Sequence, residues 1–134
     1  MTSKALRFSL LLFLVCLIAA PPCLAKAKGY LFVVGYSFAH KKVFLSRVMM
    51  QKVRNVSYSN EEYVTEVVLL QKMESQFQSF LTSSEGVKTS DYTVSVRGAF
   101  KSEAIAKKRL AEEKERYESR GYTSKVLNNF VFND

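Results

Sequence analysis

His40 is the only histidine in this chain of 134 residues, and Asp91 and Asp134 are its only aspartates. A general base needs a partner to orient it, and the sequence around His40 supplies none. Beside Lys41 and Lys42 it reads as an exposed turn residue. A lone histidine also excludes the paired-histidine zinc motifs. Both cysteines, Cys16 and Cys23, fall within the first 25 residues. The glutamates gather on helical stretches. Glu61 and Glu62 suit the start of a helix, where negative charge is favoured, and Glu112, Glu113, Glu115 and Glu118 alternate with basic residues. Paired carboxylates of the hydrolytic kind face each other across a cleft, which one helix surface does not provide. Gly35 and Gly98 stand alone, so there is no glycine-rich phosphate loop. The expectation is a protein that is not an enzyme and needs neither metal nor cofactor.

Charge is the other chemical resource. Twenty basic residues face 12 acidic ones, a formal net charge of +8. Such an excess attracts anionic partners, whether lipid headgroups, acidic glycans or nucleic acid; plain solubility charge is the alternative. The densest stretch, Lys107 to Arg120, mixes its cations with acids. Lys108–Glu112, Arg109–Glu113 and Lys114–Glu118 stand four apart, a spacing worth a few tenths of a kcal/mol per pair on a helix. A nucleic-acid site would keep its cations unmixed and expose aromatic rings for stacking, so nucleic acid is not an expected partner.

The elements that position these groups begin with a segment of a different kind. Lys4 and Arg7 form a basic head, Phe8 to Ala20 is apolar apart from Ser9, and Pro21-Pro-Cys-Leu-Ala25 is a breaking, small-residue tail. That is the pattern of a secretory signal peptide over residues 1–25. The apolar run is shorter than the roughly 20 residues a membrane-spanning helix needs. Cleavage would follow Ala25 or Ala27. Retention of the segment or lipid on Cys23 would instead tie the protein to a membrane. Removing 25 residues from 134 leaves 109, one domain over 26–134, and losing Lys4 and Arg7 takes the charge from +8 to +6. A periplasmic or secreted protein without cysteines must rest on an apolar core. Ten Phe and seven Tyr supply it. Asn55-Val-Ser57 would accept a glycan in a eukaryotic secretory pathway.

Within the domain, Tyr30-Leu-Phe-Val-Val-Gly-Tyr-Ser-Phe38 is apolar and β-branched and predicts a strand. Ala39 to Lys42 interrupts it, and Val43 to Met50 predicts the second strand of a hairpin; a helix over Lys41 to Val53 is the rival. Ser59 and Glu62 have capping-box spacing. Tyr63, Val67, Leu70, Phe77 and Leu81 then mark one face of a helix running to about Thr82. Tyr92-Thr-Val-Ser-Val96 alternates like a half-buried strand. Ser102 caps a second helix from Glu103 to Arg120 that Gly121 ends. Tyr122 to Phe132 predicts the final strand, with Val126 and Phe130-Val-Phe132 in the core. The order ββαβαβ predicts an α+β domain, a mostly antiparallel sheet of about four strands with both helices on one face.

Tyr92-Thr-Val-Ser-Val-Arg-Gly-Ala-Phe100, followed by Ser102, Glu103, Ala104, Ala106, Leu110 and Gly121-Tyr122, resembles half of a SPOR domain. That family has a strand ending in Gly-Ala-Phe, a helix with Ala and Leu at these offsets, and a glycine before the next strand. The resemblance covers residues 92–126; residues 30–82 depart from it, reading as hairpin then helix. It implies binding of peptidoglycan glycan through an exposed sheet face. Either Tyr92, Val94 and Val96 or the opposite set Thr93, Ser95 and Arg97 would line that face, and Thr93, Ser95 and Arg97 are the candidate ligand-binding residues. The whole chain is also similar to small uncharacterised exported proteins of Gram-negative bacteria, which share the signal peptide, a strand like Lys42 to Val48 and a lysine-rich late helix. The expected function is an exported, non-enzymatic binding module for an envelope glycan or a protein partner. The alternative is a surface protein that self-associates through a free sheet edge.

Overall fold

A computed structural model describes residues 25–134. Its elements run β1 (Lys26–Ser37), β2 (Lys42–Ser46), β3 (Met49–Arg54), α1 (Val67–Glu85), β4 (Thr93–Phe100), α2 (Glu103–Ser119) and β5 (Thr123–Leu127). With β2 and β3 counted as one interrupted strand, this is the α+β order read from the sequence. The signal peptide expected over 1–25, with Cys16 and Cys23, lies outside the described residues apart from Ala25. Among those residues no helix is long and apolar enough to cross a membrane.

The sheet is organised by β1. Leu31, Phe32, Val33 and Val34 are all fully buried. Successive strand residues point to opposite faces, so both faces of the sheet must be covered here. Tyr30 pairs with Met50 of β3 and Phe100 of β4, and Val34 pairs with Leu45 of β2 and Ser95 of β4. Hence β4 holds one edge of β1, while β2 and β3 share the other. All three run antiparallel to it, and β5 lies parallel to β2 on the outside.

Two inserted residues set the register. From Val34↔Leu45 to Leu31↔Met49 the pairing slips by one, a bulge between β2 and β3. There the Val33 N–H donates to the Ser46 hydroxyl at 2.8 Å. In β4 the slip falls between Arg97 and Phe100. Gly98 has φ of +108°, and a Cβ on it would lie 2.6 Å from the Tyr30 carbonyl oxygen, so glycine is required. The insertion exchanges the faces beyond it. Ala99 joins the core beneath α1, and Phe100 turns to the other face, its ring centroid 6.1 Å from that of Phe32.

The helices lie on opposite faces, which corrects the expected placement on one. Met73, Phe77 and Leu81 of α1 pack with Leu31, Val33 and Phe44. On the other side Ala106, Leu110 and Tyr117 of α2 pack with Phe32, Val34 and Leu45. The physical reason is handedness. The first crossover, β3–α1–β4, passes β1 in one direction, and the second, β4–α2–β5, returns in the other. Parallel crossovers share a right hand, so reversing direction moves the helix to the opposite face.

Local capping differs between the helices. The Ser102 hydroxyl accepts from the Ile105 N–H at 3.1 Å, as its position predicts. The Ser59 hydroxyl does accept from Glu61 and Glu62 N–H, but in a turn rather than a helix. Ser57 bridges Tyr63 and Glu62 bridges Phe100, so residues 57–63 form a small hairpin on the outer edge of β4. Helix α1 starts later, at Val67, and ends in the left-handed Gly86. The last strand also stops early, at Leu127. Residues 128–134 fold back on α1, where Phe130 meets Phe77 and Phe80 edge-on. The Gln76 side-chain amide both donates to and accepts from the Asn133 backbone. Phe130 and Phe132 are core residues as expected, whereas Val131 is exposed.

Ser46 is itself fully buried, and its loss would leave the Val33 N–H unsatisfied in the middle of the sheet. Ser46→Ala should lower stability by about 1–3 kcal/mol in urea unfolding. An unchanged midpoint would show that the bulge does not depend on this hydroxyl.

Candidate functional site

The Thr93, Ser95 and Arg97 face is not open. Val94 and Val96 turn towards the core under α1, which puts the other three on the side of α2. Arg97 donates from Nε and Nη2 to Glu113 of α2, each at 2.9 Å, and from Nη1 to the Ser95 hydroxyl. Glu113 is buried, and Arg97 is partly buried over it. A buried carboxylate needs such a partner, so Arg97 and Ser95 are engaged in holding α2 on the sheet. Thr93 is exposed at the start of the strand. The face that the SPOR resemblance leaves free for a glycan is overlain by a helix.

His40 has the partner that its sequence neighbours lack. Its Nε2 is 3.2 Å from Asp91 Oδ2, and its ring stacks on Tyr92 with centroids 6.3 Å apart. The two residues are 51 positions apart, beyond the reach of a local reading. The His40 N–H also donates to the buried Ser37 hydroxyl at 3.1 Å. The Asp91 contact tethers the β1–β2 turn to the start of β4, and the Ser37 bond closes the turn itself. Glu61 and Arg109 form a second tether, between the small hairpin and α2, and that guanidinium holds the Glu61 carboxyl below the usual carboxylate range. The Ser124 hydroxyl, with Lys114, does the same for Glu118. Burial, then the nearby Glu113 charge, pushes the Tyr117 phenol up. Among the described residues no three His, Cys, Asp or Glu side chains gather as a metal site requires.

A different constellation sits at the other end of β1. Lys26 is directly opposite Arg54, and Lys28 directly opposite Lys52. Strand alternation puts all four on the side away from Ala27, Gly29 and Val53, whose neighbours are the α1 core. Opposed residues on a ladder are about 5 Å apart, and alternate residues along it about 7 Å. The result is a rectangle of four cations, all exposed. Arg54 is paired with Glu66 at 3.0 Å. Among the described residues Lys26, Lys28 and Lys52 form no salt bridge. Next on the same side come Tyr30 and its cross-strand partner Met50, which is 45% exposed. At the strand ends Lys26, Lys52 and Arg54 also line a groove of about 210 Å³ with Val68, Leu69 and Lys72.

The sequence reading misses this arrangement because it starts the first strand at Tyr30 and ends the second at Met50, leaving all four cations outside the hairpin. The available signal was the alternation of Lys26 and Lys28, and of Lys52 and Arg54, on either side of the hairpin. The free edges are less inviting. Residues 61–63 cover part of β4, with Lys101 N–H donating to the Glu61 carbonyl and Tyr63 N–H to that of Ala99. The other outer strands are β3, six residues paired only with β1 and carrying Lys52 and Arg54, and β5, five residues with Lys125 at its centre, tied to Glu85 at 3.0 Å. Short, charged edges resist strand addition.

No family model, curated protein or solved structure matches this chain.

Like charges set directly opposite on a ladder oppose folding. Lys52→Glu places a carboxylate across from Lys28 and should raise stability by about 0.2–1 kcal/mol. The gain should appear in thermal unfolding at low ionic strength and shrink in salt. No gain at low salt would mean that Lys28 and Lys52 exert no force on each other.

Proposed function

We propose that this chain is an exported, non-enzymatic binding module of the bacterial envelope, and that it works through the basic end of its sheet on an anionic envelope component. One observation carries the reading: the two cation pairs in register on β1 and β3. Stability alone gives no reason to oppose Lys28 to Lys52 and Lys26 to Arg54, whereas an anion lying across them turns repulsion into attraction. Glycan contact through Thr93, Ser95 and Arg97 is set aside, because Arg97 and Ser95 are engaged with α2. Self-association through a sheet edge is less well supported, given the part-covered β4 and the short, charged β3 and β5.

Export rests on the basic head at Lys4 and Arg7 and the apolar run to Ala20, and it places the protein in the periplasm or outside the cell. The two cleavage sites differ in their structural consequence. Lys26 pairs with Arg54 and Ala27 with Val53, and Ala27 packs against the core. Cleavage after Ala25 keeps the whole strand, while cleavage after Ala27 removes its first two rungs. The intact mass of the protein recovered from cells should therefore correspond to a chain beginning at Lys26. A species retaining residues 1–25 would make it an anchored protein instead.

Binding can be read with a whole envelope fraction as the target. K28E/K52E should lose retention, while K88E/K108E, an equal charge change at exposed positions on other elements, should keep most of it. Equal losses in the two variants would show that net charge, not the β1–β3 face, drives the interaction.

A further inference from the structure

We infer that the occupant of the basic face is the surface of an anionic phospholipid bilayer, an identification that rests on the reading above and narrows it. The shape of the face is the first reason. Two paired strands lay Lys26, Lys28, Lys52 and Arg54 on one side of a ribbon, an arrangement matched to charges spread over a plane. The neighbouring groove, at about 210 Å³, falls below the range of roughly 300 Å³ upward in which pockets enclose a small molecule. Its Arg54 and Lys72 are already paired with Glu66 and Asp134.

Composition is the second reason. Exposed Met50 and half-buried Tyr30 directly adjoin the cations on the same side. Apolar and aromatic side chains next to lysines suit an interface whose charged headgroups lie over hydrocarbon. A hydrated glycan offers an exposed methionine far less apolar surface than the hydrocarbon beneath a headgroup layer does. The third reason is position in the chain. The apolar run of the leader ends at Ala20, and Lys26 begins β1 six residues later. Export through that leader brings this end of the sheet to a membrane surface before any other part of the domain.

Each cation near an anionic bilayer contributes about fivefold in partitioning, so the three lysines without a salt bridge, Lys26, Lys28 and Lys52, raise it by roughly a hundredfold over a neutral face. The test is co-sedimentation of the protein, as recovered from cells expressing the full chain, with two kinds of vesicle: phosphatidylcholine alone, and an equal mixture of phosphatidylcholine and phosphatidylglycerol. A leader still attached brings Lys4 and Arg7 as well, so the basic face is read from the difference between the parent and K28E/K52E in the same processed form. Binding should favour the mixed vesicles and disappear in about 1 M salt, where the Debye length is about 3 Å. K28E/K52E should bind them at least about 25-fold less, two cations' worth. That variant keeps like charges opposed, so its thermal midpoint should stay near that of the parent and exclude misfolding as the cause. Equal binding to both vesicles, or unchanged binding by K28E/K52E, overturns the inference. Retention by lipid-free sacculi without binding to mixed vesicles also overturns it, but leaves the binding-module reading standing. Binding to neither the vesicles nor the envelope fraction removes both.

Discussion

Four consecutive buried residues, Leu31 to Val34, are the constraint on which this fold depends. A strand with one wet face can alternate apolar and polar residues; one with no wet face cannot, and must be covered on both sides. The chain meets that demand with one helix per face. The two crossovers that carry the helices travel in opposite directions past β1, so their common handedness delivers the covers to the required sides. Both bulges flank the same stretch of β1. One lies opposite Leu31 to Val34 between β2 and β3, the other opposite Tyr30 to Phe32 in β4. Each shifts the alternation so that residues beyond it reach the correct core, Met49 beneath α1 and Phe100 beneath α2. The buried Ser46 hydroxyl and the bare Cα of Gly98 are what make the shifts sterically and electrostatically tolerable.

Much of this was legible in the residues. The apolar, β-branched run from Tyr30 identifies the central strand, the periodicity of Phe77 and Leu81 identifies α1, and Ser102 and Gly121 bracket α2. The expected order of elements stands. What escaped was non-local. A run of Leu-Phe-Val-Val already implies a strand covered on both faces, but the choice of cover depends on strand order, which periodicity does not encode. Ser59 and Glu62 satisfy a capping box in spacing, yet the Glu61 carbonyl accepts from Lys101 N–H and Tyr63 N–H donates to the Ala99 carbonyl, bonds to residues nearly 40 positions away. A sheet edge competed for those groups and won. The pairing of His40 with Asp91 was hidden for the same reason.

The candidate site shows the same division. Thr93, Ser95 and Arg97 do share one side of β4, as alternation requires. Their exposure depends on where α2 lies, and α2 brings Glu113 down on Arg97. The basic rectangle is the converse case. Its members were all visible, but only the register of β1 against β3 makes Lys28 the neighbour of Lys52 rather than of an acid. A displacement of one residue in that pairing would send these cations to opposite faces.

Two fates of a cation on this sheet can therefore be compared. Arg97 lies under a helix, loses much of its water, and is matched by a carboxylate and a hydroxyl within the same molecule. Desolvation leaves no alternative there, because an unmatched charge would oppose the packing of α2. Lys26, Lys28 and Lys52 lie beyond the reach of α2, remain solvated, and carry only the mutual repulsion of neighbours in water. That repulsion is small enough for a domain with this core to tolerate. It is also the property that makes the ribbon responsive, because a tolerated repulsion adds to the attraction felt for an arriving anion. The core can hold like charges together in this position because its stability is supplied elsewhere, by the double-sided burial of β1. The same strand thus provides the rigid centre of the fold and, a few residues towards its start, the basic surface on which the proposed binding rests.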